Sequence, residues 1–558
     1  MSAFHDNALM GASGSQGYTI SRSVRLRSSA SAYFNRTFTT PTNNKIWTWS
    51  GWGKRGKLAT AQDLFGGGSS ASSYAYIGFT SSDTIRIWSL VSSSVQIDCV
   101  TSSVFRDPSA WYHVVLSVDT TQATNSNGVK LYINGVQQTL TFSTYVQNSN
   151  TYFNSSALHS IGALNYTASI IEYLDGYLTE INFIDGQALT PSSFGETDAI
   201  TGVWKPKKYS GTYGTNGFYL NFSDNSNNTA TTIGKDYSGN GNNWTPNNIS
   251  VTSGVTYDSM LDVPTPYADG GNGRGNYAIL NPVNKNSSMS IYDGNLAANM
   301  TATAGGFSAC SFALTTGKWY FEVTDQHTST NYITGAGLIT QSFIHGGSGA
   351  GSYYIFDANP NQLNSYSNGT FVATIANGAP NLVNGDIIQV AYDADAGKIW
   401  FGKNGTWYPA AVGGSAGNPS AGTNPTLSSV PSGLVPSSVH YGTTAAMSTN
   451  FGQRPFSYTP PTGFNALNTQ NLSAGTITTS GSFTGNASAD GPFVYLNGVP
   501  TAMTINGNAV TFGTHADKTA NGFKVRSSSS SYNASGSNTY SISTTGAKFK
   551  YANAQGNP

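Results

Sequence analysis

Along most of the chain, apolar and polar residues alternate with a period of two, in short runs separated by Gly, Asn and Ser. That is the period of a pleated strand, not the roughly 3.6-residue period of an amphipathic helix. The run from Gly385 to Trp407, GDIIQVAYDADAGKIWFGKNGTW, shows it most clearly. Ile388, Val390 and Tyr392 share one face of a strand, and Ile399 and Phe401 share one face of the next. An Asp/Ala/Gly link joins the two, and Asn404-Gly405 supplies a second tight turn before Trp407. The pattern predicts an antiparallel meander whose aromatic-rich face is buried against another sheet.

The same reading divides the chain. Residues 1–17 are a small, polar N-terminal arm. Residues 18–248 hold strand patterns at Val24–Leu26, Trp47–Trp52, Ile85–Trp88, Trp111–Val118, Val129–Val136 and Gly176–Gly186, spaced by turn residues as in a β-sandwich. Residues 249–275, with Pro264, Pro266 and Gly270 to Gly275, read as an extended linker. Residues 276–464 form a second sandwich, interrupted by a Gly/Pro/Ser-rich excursion over 411–437. Residues 465–558 lose large apolar side chains and read as a smaller C-terminal β-module that needs a partner to complete its core.

Several stretches carry a resemblance as well. GKWYFEV at Gly317–Val323, GAGL at Gly335–Leu338, the meander and NFGQRPF at Asn450–Phe456 resemble, in that order, a SPRY domain. WYHVVLSVD, LYINGV and GYLTEINFIDG, with the loop Asp236-Tyr237-Ser238-Gly239-Asn240-Gly241-Asn242, are similar to laminin G-like and pentraxin-type jelly rolls. The resemblance implies an all-β chain of two concanavalin-like antiparallel β-sandwiches (jelly rolls) followed by the smaller C-terminal β-module. MSAFHDNALMGASGSQGY, SVRLRSSASAYFNRT and WTWSGWGKRG resemble the start of bacteriophage tail and virion proteins. This implies a structural protein on the virion surface, a tail fibre, spike or head appendage, that adheres to host-surface carbohydrate. Its expected partners are other virion proteins, the host glycan and copies of itself, with a trimer as one form of the homo-oligomer. Capsid decoration or an oligomerising tail role without a receptor is the first alternative, and a polysaccharide depolymerase the second.

Composition narrows the choice. Only 9% of residues are charged, so hydroxyl and amide groups carry solubility, while 12% aromatic content argues against disorder. Net charge is zero with no basic cluster, which speaks against a nucleic-acid partner. No apolar run approaches the ~18 residues of a membrane span, so no membrane insertion is expected, and Met1–Gly11 lacks the pattern of an export signal. A protein made in a host cytoplasm and located on the virion fits both. Cys99 and Cys310 fall in different domains, each in a strand-like stretch, and read as buried free thiols.

Candidate chemistry is sparse. The Glu-x-Asp-x-x-Glu run of sandwich glycosidases is missing from the sequence; Asp386, the Asp393/Asp395 pair and the Glu172/Asp175 pair read as turn and loop residues. The seven histidines have no metal or triad spacing, and no enzymatic activity is expected. Asp224, Asp236, Asn240 and Asn242 offer the oxygen chemistry of a calcium site, although the same residues serve as turn formers, which is the preferred reading. Tyr74, Tyr76, Tyr152, Tyr353 and Tyr354, near Gly/Ser/Asn-rich loops, are candidates for stacking on a sugar ring.

Overall fold

The computed structural model describes residues 18–167, 169–198, 202–302, 305–327, 333–340, 353–359, 362–377, 382–443 and 445–472, and beyond these a set of C-terminal strands by their backbone. The chain is antiparallel β almost throughout.

The first sandwich packs two eight-stranded sheets. One is centred on Ile46–Arg55 and Gly176–Asp185, flanked by Trp111–Asp119 and Ser23–Leu26. The other runs in order through Leu140–Tyr145, Ser94–Thr101, Ile85–Val91, Ser73–Phe79, Gln62–Ser70, Leu158–Ile161, Tyr33–Thr37 and Thr245–Asn247. The inward residues of both, among them Trp47, Trp49, Phe65, Ile77, Ile87, Phe183 and Trp244, make one aromatic-rich core. Cys99 belongs to it, and burial pushes its thiol pKa up. Cys310 is also free and buried, its thiol pushed up to about 12 by burial.

The second sandwich packs two seven-stranded sheets. The meander lies in one of them: Ile387–Asp393 pairs with Lys398–Lys403, which pairs with Thr406–Trp407. Its sister strand Lys318–Asp325 sets Tyr320 opposite Ala391. Ile388, Val390, Tyr392, Ile399 and Phe401 are fully buried, as the alternation requires. The structure adds a second buried face: Trp400 and Ala391 pack with Tyr320 and Phe464, with Trp407 and Phe456 against them. The middle of the excursion expected over 411–437 folds back onto this face, where Leu427 pairs with Ile399 and the Thr423 carbonyl accepts the Trp400 Nε1–H, whereas its end enters the strand Val435–Tyr441 of the other sheet.

The stretch 249–275, read from its Pro and Gly content as an extended linker, also contributes to the sheets and buried ion pairs. Ser259–Met260 extends the first sandwich by pairing with Ser23–Leu26. Asp258 is fully buried between Arg25 and Arg27, and Asp262 is fully buried against Lys54. Residues 16–196 and 205–471 accordingly form one compact unit. The C-terminal strands, from Thr476–Thr484 to Phe549–Asn553, form two four-stranded sheets.

Candidate functional site

The second sheet of the first sandwich turns one face to solvent. On Ser73–Phe79, Ala75, Ile77 and Phe79 point into the core, which leaves Tyr74, Tyr76 and Gly78 outside. Cross-strand register extends this outer series on both sides. Gly68 lies opposite Tyr74, Gly66 opposite Tyr76 and Asp63 opposite Gly78; on the other flank stand Leu90, Trp88 and Arg86.

The aromatic side chains form a row. Tyr74 and Tyr76 lie with ring centroids 6.4 Å apart and planes 6° from parallel. Trp88 is 6.2 Å from Tyr74 at 28°, and Tyr166 meets Tyr74 edge-on at 5.1 Å. All four are half-buried, so each presents ring surface to water. Arg86 lies 4.6 Å over Trp88 and makes a two-pronged pair with Asp98, Nε–Oδ1 2.8 Å and Nη2–Oδ2 3.0 Å. The bonds to Asp98 hold the Arg86 pKa above its ordinary value, and burial raises those of Tyr74 and Tyr76.

One end of the row is closed by the hairpin Leu164–Tyr166/Ser169–Ile171. Asn165 donates to the Gly68 carbonyl at 2.6 Å, and a Cβ at Gly68 would overlap the Asn165 carbonyl. Glycine is therefore required where the hairpin lies on the strand. Beyond the hairpin, the Glu172 carbonyl accepts the Asp63 N–H at 3.0 Å.

The tyrosines read from the sequence thus separate into three cases. Tyr74 and Tyr76 come together on one exposed face. Tyr152 does not join them: its N–H bonds to Ser89 on the inward series, and its ring packs against the core. Tyr353 and Tyr354 are on the strand Tyr353–Asn359, with side chains outside the described residues. Trp88, Tyr166, Arg86, Asp98 and Asp63 were missed as site residues; the alternation around Trp88 could have pointed to the first, whereas hairpin docking and strand register have no local signature.

The calcium candidates are spent on the loop itself. Asp236 Oδ1 accepts the Tyr219 and Ser238 N–H groups at 2.9 and 2.8 Å, and Oδ2 accepts Ser238 Oγ and the Asn242 N–H, each at 2.8 Å. Asn240 and Asn242 turn their amide donors to the carbonyls of Gly214, Thr215 and Gly217, and Asn242 Oδ1 takes an Arg36 N–H. Asp224 bonds instead to Ser226 on the exposed surface. A hard cation needs free oxygens converging on one point. These residues do not fit one, because the donors of the turn already hold the Asp236 oxygens.

Seen as a whole, this is a jelly roll with a glycine-floored aromatic face. Residues 26–193 match the family described as the concanavalin A-like lectin/glucanases superfamily, Laminin_G_3. The aromatic row and its hairpin lie within that concanavalin A-like segment, whereas the strands Thr245–Asn247 and Ser259–Met260 complete its sheets from outside. No curated protein sequence matches the chain. Among solved structures the chain is similar to the SPRY domain of human HERC1, at 17% identity over 32% of this chain and 99% of that one, TM-score 0.24. It is also similar to the heptameric SAP-like pentraxin of Limulus polyphemus, at 16% identity over 28% and 71%, TM-score 0.23. The LG1-3 region of the laminin alpha2 chain aligns at 9% identity over 78% of this chain and 64% of that one, TM-score 0.30.

Proposed function

We propose that this protein is a non-catalytic carbohydrate-binding adhesin, and that the Tyr74–Tyr76–Trp88 face is where the sugar lies. The supporting observation is the row itself, near-parallel rings held half-open on a rigid sheet with the Arg86–Asp98 pair beside them. A pyranose offers an apolar face to such rings and hydroxyls to such polar groups. Binding rather than hydrolysis suits the acids present at this face. Asp63 is buried, with its N–H on the Glu172 carbonyl at 3.0 Å, whereas glycosidase carboxyls stand roughly 5–9.5 Å apart with the scissile bond in a cleft between them.

The setting we propose is the outer surface of a bacteriophage particle, on a tail fibre, spike or head appendage. The sequence resemblance and the hydroxyl- and amide-based solubility support it. Many copies on one particle would raise weak single-site binding to useful avidity.

The test is binding of the purified chain to bacterial surface polysaccharides. Tyr76→Ala and Trp88→Ala should each weaken binding about tenfold, roughly 1.4 kcal/mol, with melting unchanged. Full retention of binding in the double variant would rule this face out.

A further inference from the structure

Among the described residues, Asp63 is the buried carboxylate whose two oxygens both lack a donor. Others at similar depth are matched: Asp258 by Arg25 and Arg27, Asp262 by Lys54 and Trp111, Asp175 by Ser28 and the N–H groups of Asp293 and Gly294. Asp63 is 1% exposed, and leaving a charged acceptor unpaired there is costly.

Its orientation is defined. Asp63 stands opposite Gly78 on the outer face, and its Oδ1 fills the space a Cβ at Gly78 would need, one outward position along the strand from Tyr76. Glu172 is held beside it, its carbonyl accepting the Asp63 N–H at 3.0 Å, and its side chain ends in an acceptor like that of Asp63. Glu172 is half-buried and its backbone sits at φ +53°, a left-handed conformation that costs a non-glycine residue about 1 kcal/mol or more. The nearest cation on the face, Arg86, is opposite Gly78 but already committed to Asp98 and to the Trp88 ring. Two carboxyls, one strained and one unpaired, are thus held at the foot of an aromatic row.

We propose that the Asp63–Glu172 pair receives the ammonium group of an amino sugar whose ring lies along Tyr76 and Tyr74. This rests on the reading of the face as a carbohydrate site and names the sugar class. An ammonium brings three N–H donors and a positive charge to two acceptors that lack both. It also gains from the adjacent Tyr76 ring. A neutral hydroxyl supplies one donor and no charge. A divalent cation wants six to eight oxygens, and no cluster of three or more acidic, His or Cys ligands occurs among the described residues. Glu172, the solvent-side member, makes the direct contact, and Asp63 supplies the second carboxylate behind it.

The experiment is titration calorimetry of the full chain with a glucosamine oligosaccharide and with its N-acetylated counterpart, at pH 6 in the presence of EDTA. The amine form should bind at least tenfold more tightly. Glu172→Gln should abolish that preference while retaining the weaker affinity for the acetylated form; Tyr76→Ala should weaken both ligands. Melting curves establish that each variant is folded. Equal affinity for the two ligands, or a preference that survives in folded Glu172→Gln, overturns the inference and leaves the carbohydrate reading standing. Binding that vanishes in EDTA and returns with a divalent cation overturns it too. If neither ligand nor any surface polysaccharide binds, the carbohydrate reading falls with it.

Discussion

At the scale of single residues, burial raises the pKa of acids and so ties stability to pH. Glu180 is buried, holds the hydroxyls of Tyr18 and Tyr219 on its two oxygens, and has its pKa raised by burial to about 7. Asp63 is raised in the same direction, first by burial and then by Glu172. Both bind a proton more tightly folded than unfolded, so their stabilising contribution is full below the unfolded values near 4 and is lost as pH rises through the folded ones. Melting temperature should therefore fall between about pH 5 and pH 8. Glu180→Gln should flatten that slope, recovering about 3 kcal/mol at pH 8 relative to the parent. A slope unchanged in this variant would contradict the assignment. Asp63→Asn should also gain stability at pH 8, because an amide can donate to Glu172 where a carboxylate cannot. None of this was legible from sequence: a lone Asp within Gln62–Ser70 looks like any strand residue until the far-off Glu172 is folded over it.

Strands and turns were far more legible, because the two-residue period is written locally. The meander, its Asn404-Gly405 turn and the pairing with the GKWYFEV strand follow directly from alternation. What alternation could not tell is that Ala391 and Trp400, on the face assigned to no partner, are buried as well. That burial comes from Phe456, Phe464 and the excursion over 411–437, segments without periodicity of their own. The excursion is thus part of the packing of the second sandwich. Trp400 is fully buried with its Nε1–H on the Thr423 carbonyl at 2.8 Å, so Trp400→Ala should cost about 3–5 kcal/mol by chemical denaturation. Shortening the loop around Thr423 should remove part of the same stability. The aromatic row divides likewise: the i, i+2 spacing of Tyr74 and Tyr76 announces a shared face, whereas Trp88 and Tyr166 reach it through pairing and docking.

At the scale of the whole molecule, the sequence suggests two sandwiches joined by an extended linker, and the structure joins them through buried charge. Arg25 and Arg27 converge on Asp258; Lys54 reaches Asp262, Asn276 and the Tyr277 carbonyl. Asp175 and Tyr177, from the first sandwich, bond to the Gly294 N–H and carbonyl of the second. Gly/Pro content spoke for a linker, but the residues that decide are the two acids within it, whose partners lie more than two hundred positions earlier. Removing one member of a buried ion pair costs about 3–5 kcal/mol, since the other is left uncompensated. Asp258→Ala should therefore destabilise both sandwiches together, and calorimetry of the parent over residues 18–471 should give one transition. A fragment ending at residue 248 would strand Arg25, Arg27 and Lys54 without their carboxylates and lose the Ser259–Met260 strand, so it should be unstable, while the fragment 18–471 keeps every one of these contacts. A stable, independently melting 18–248 fragment would show that the sandwiches are separable. With the two sandwiches held by these buried contacts, the aromatic face keeps a fixed orientation to the second sandwich.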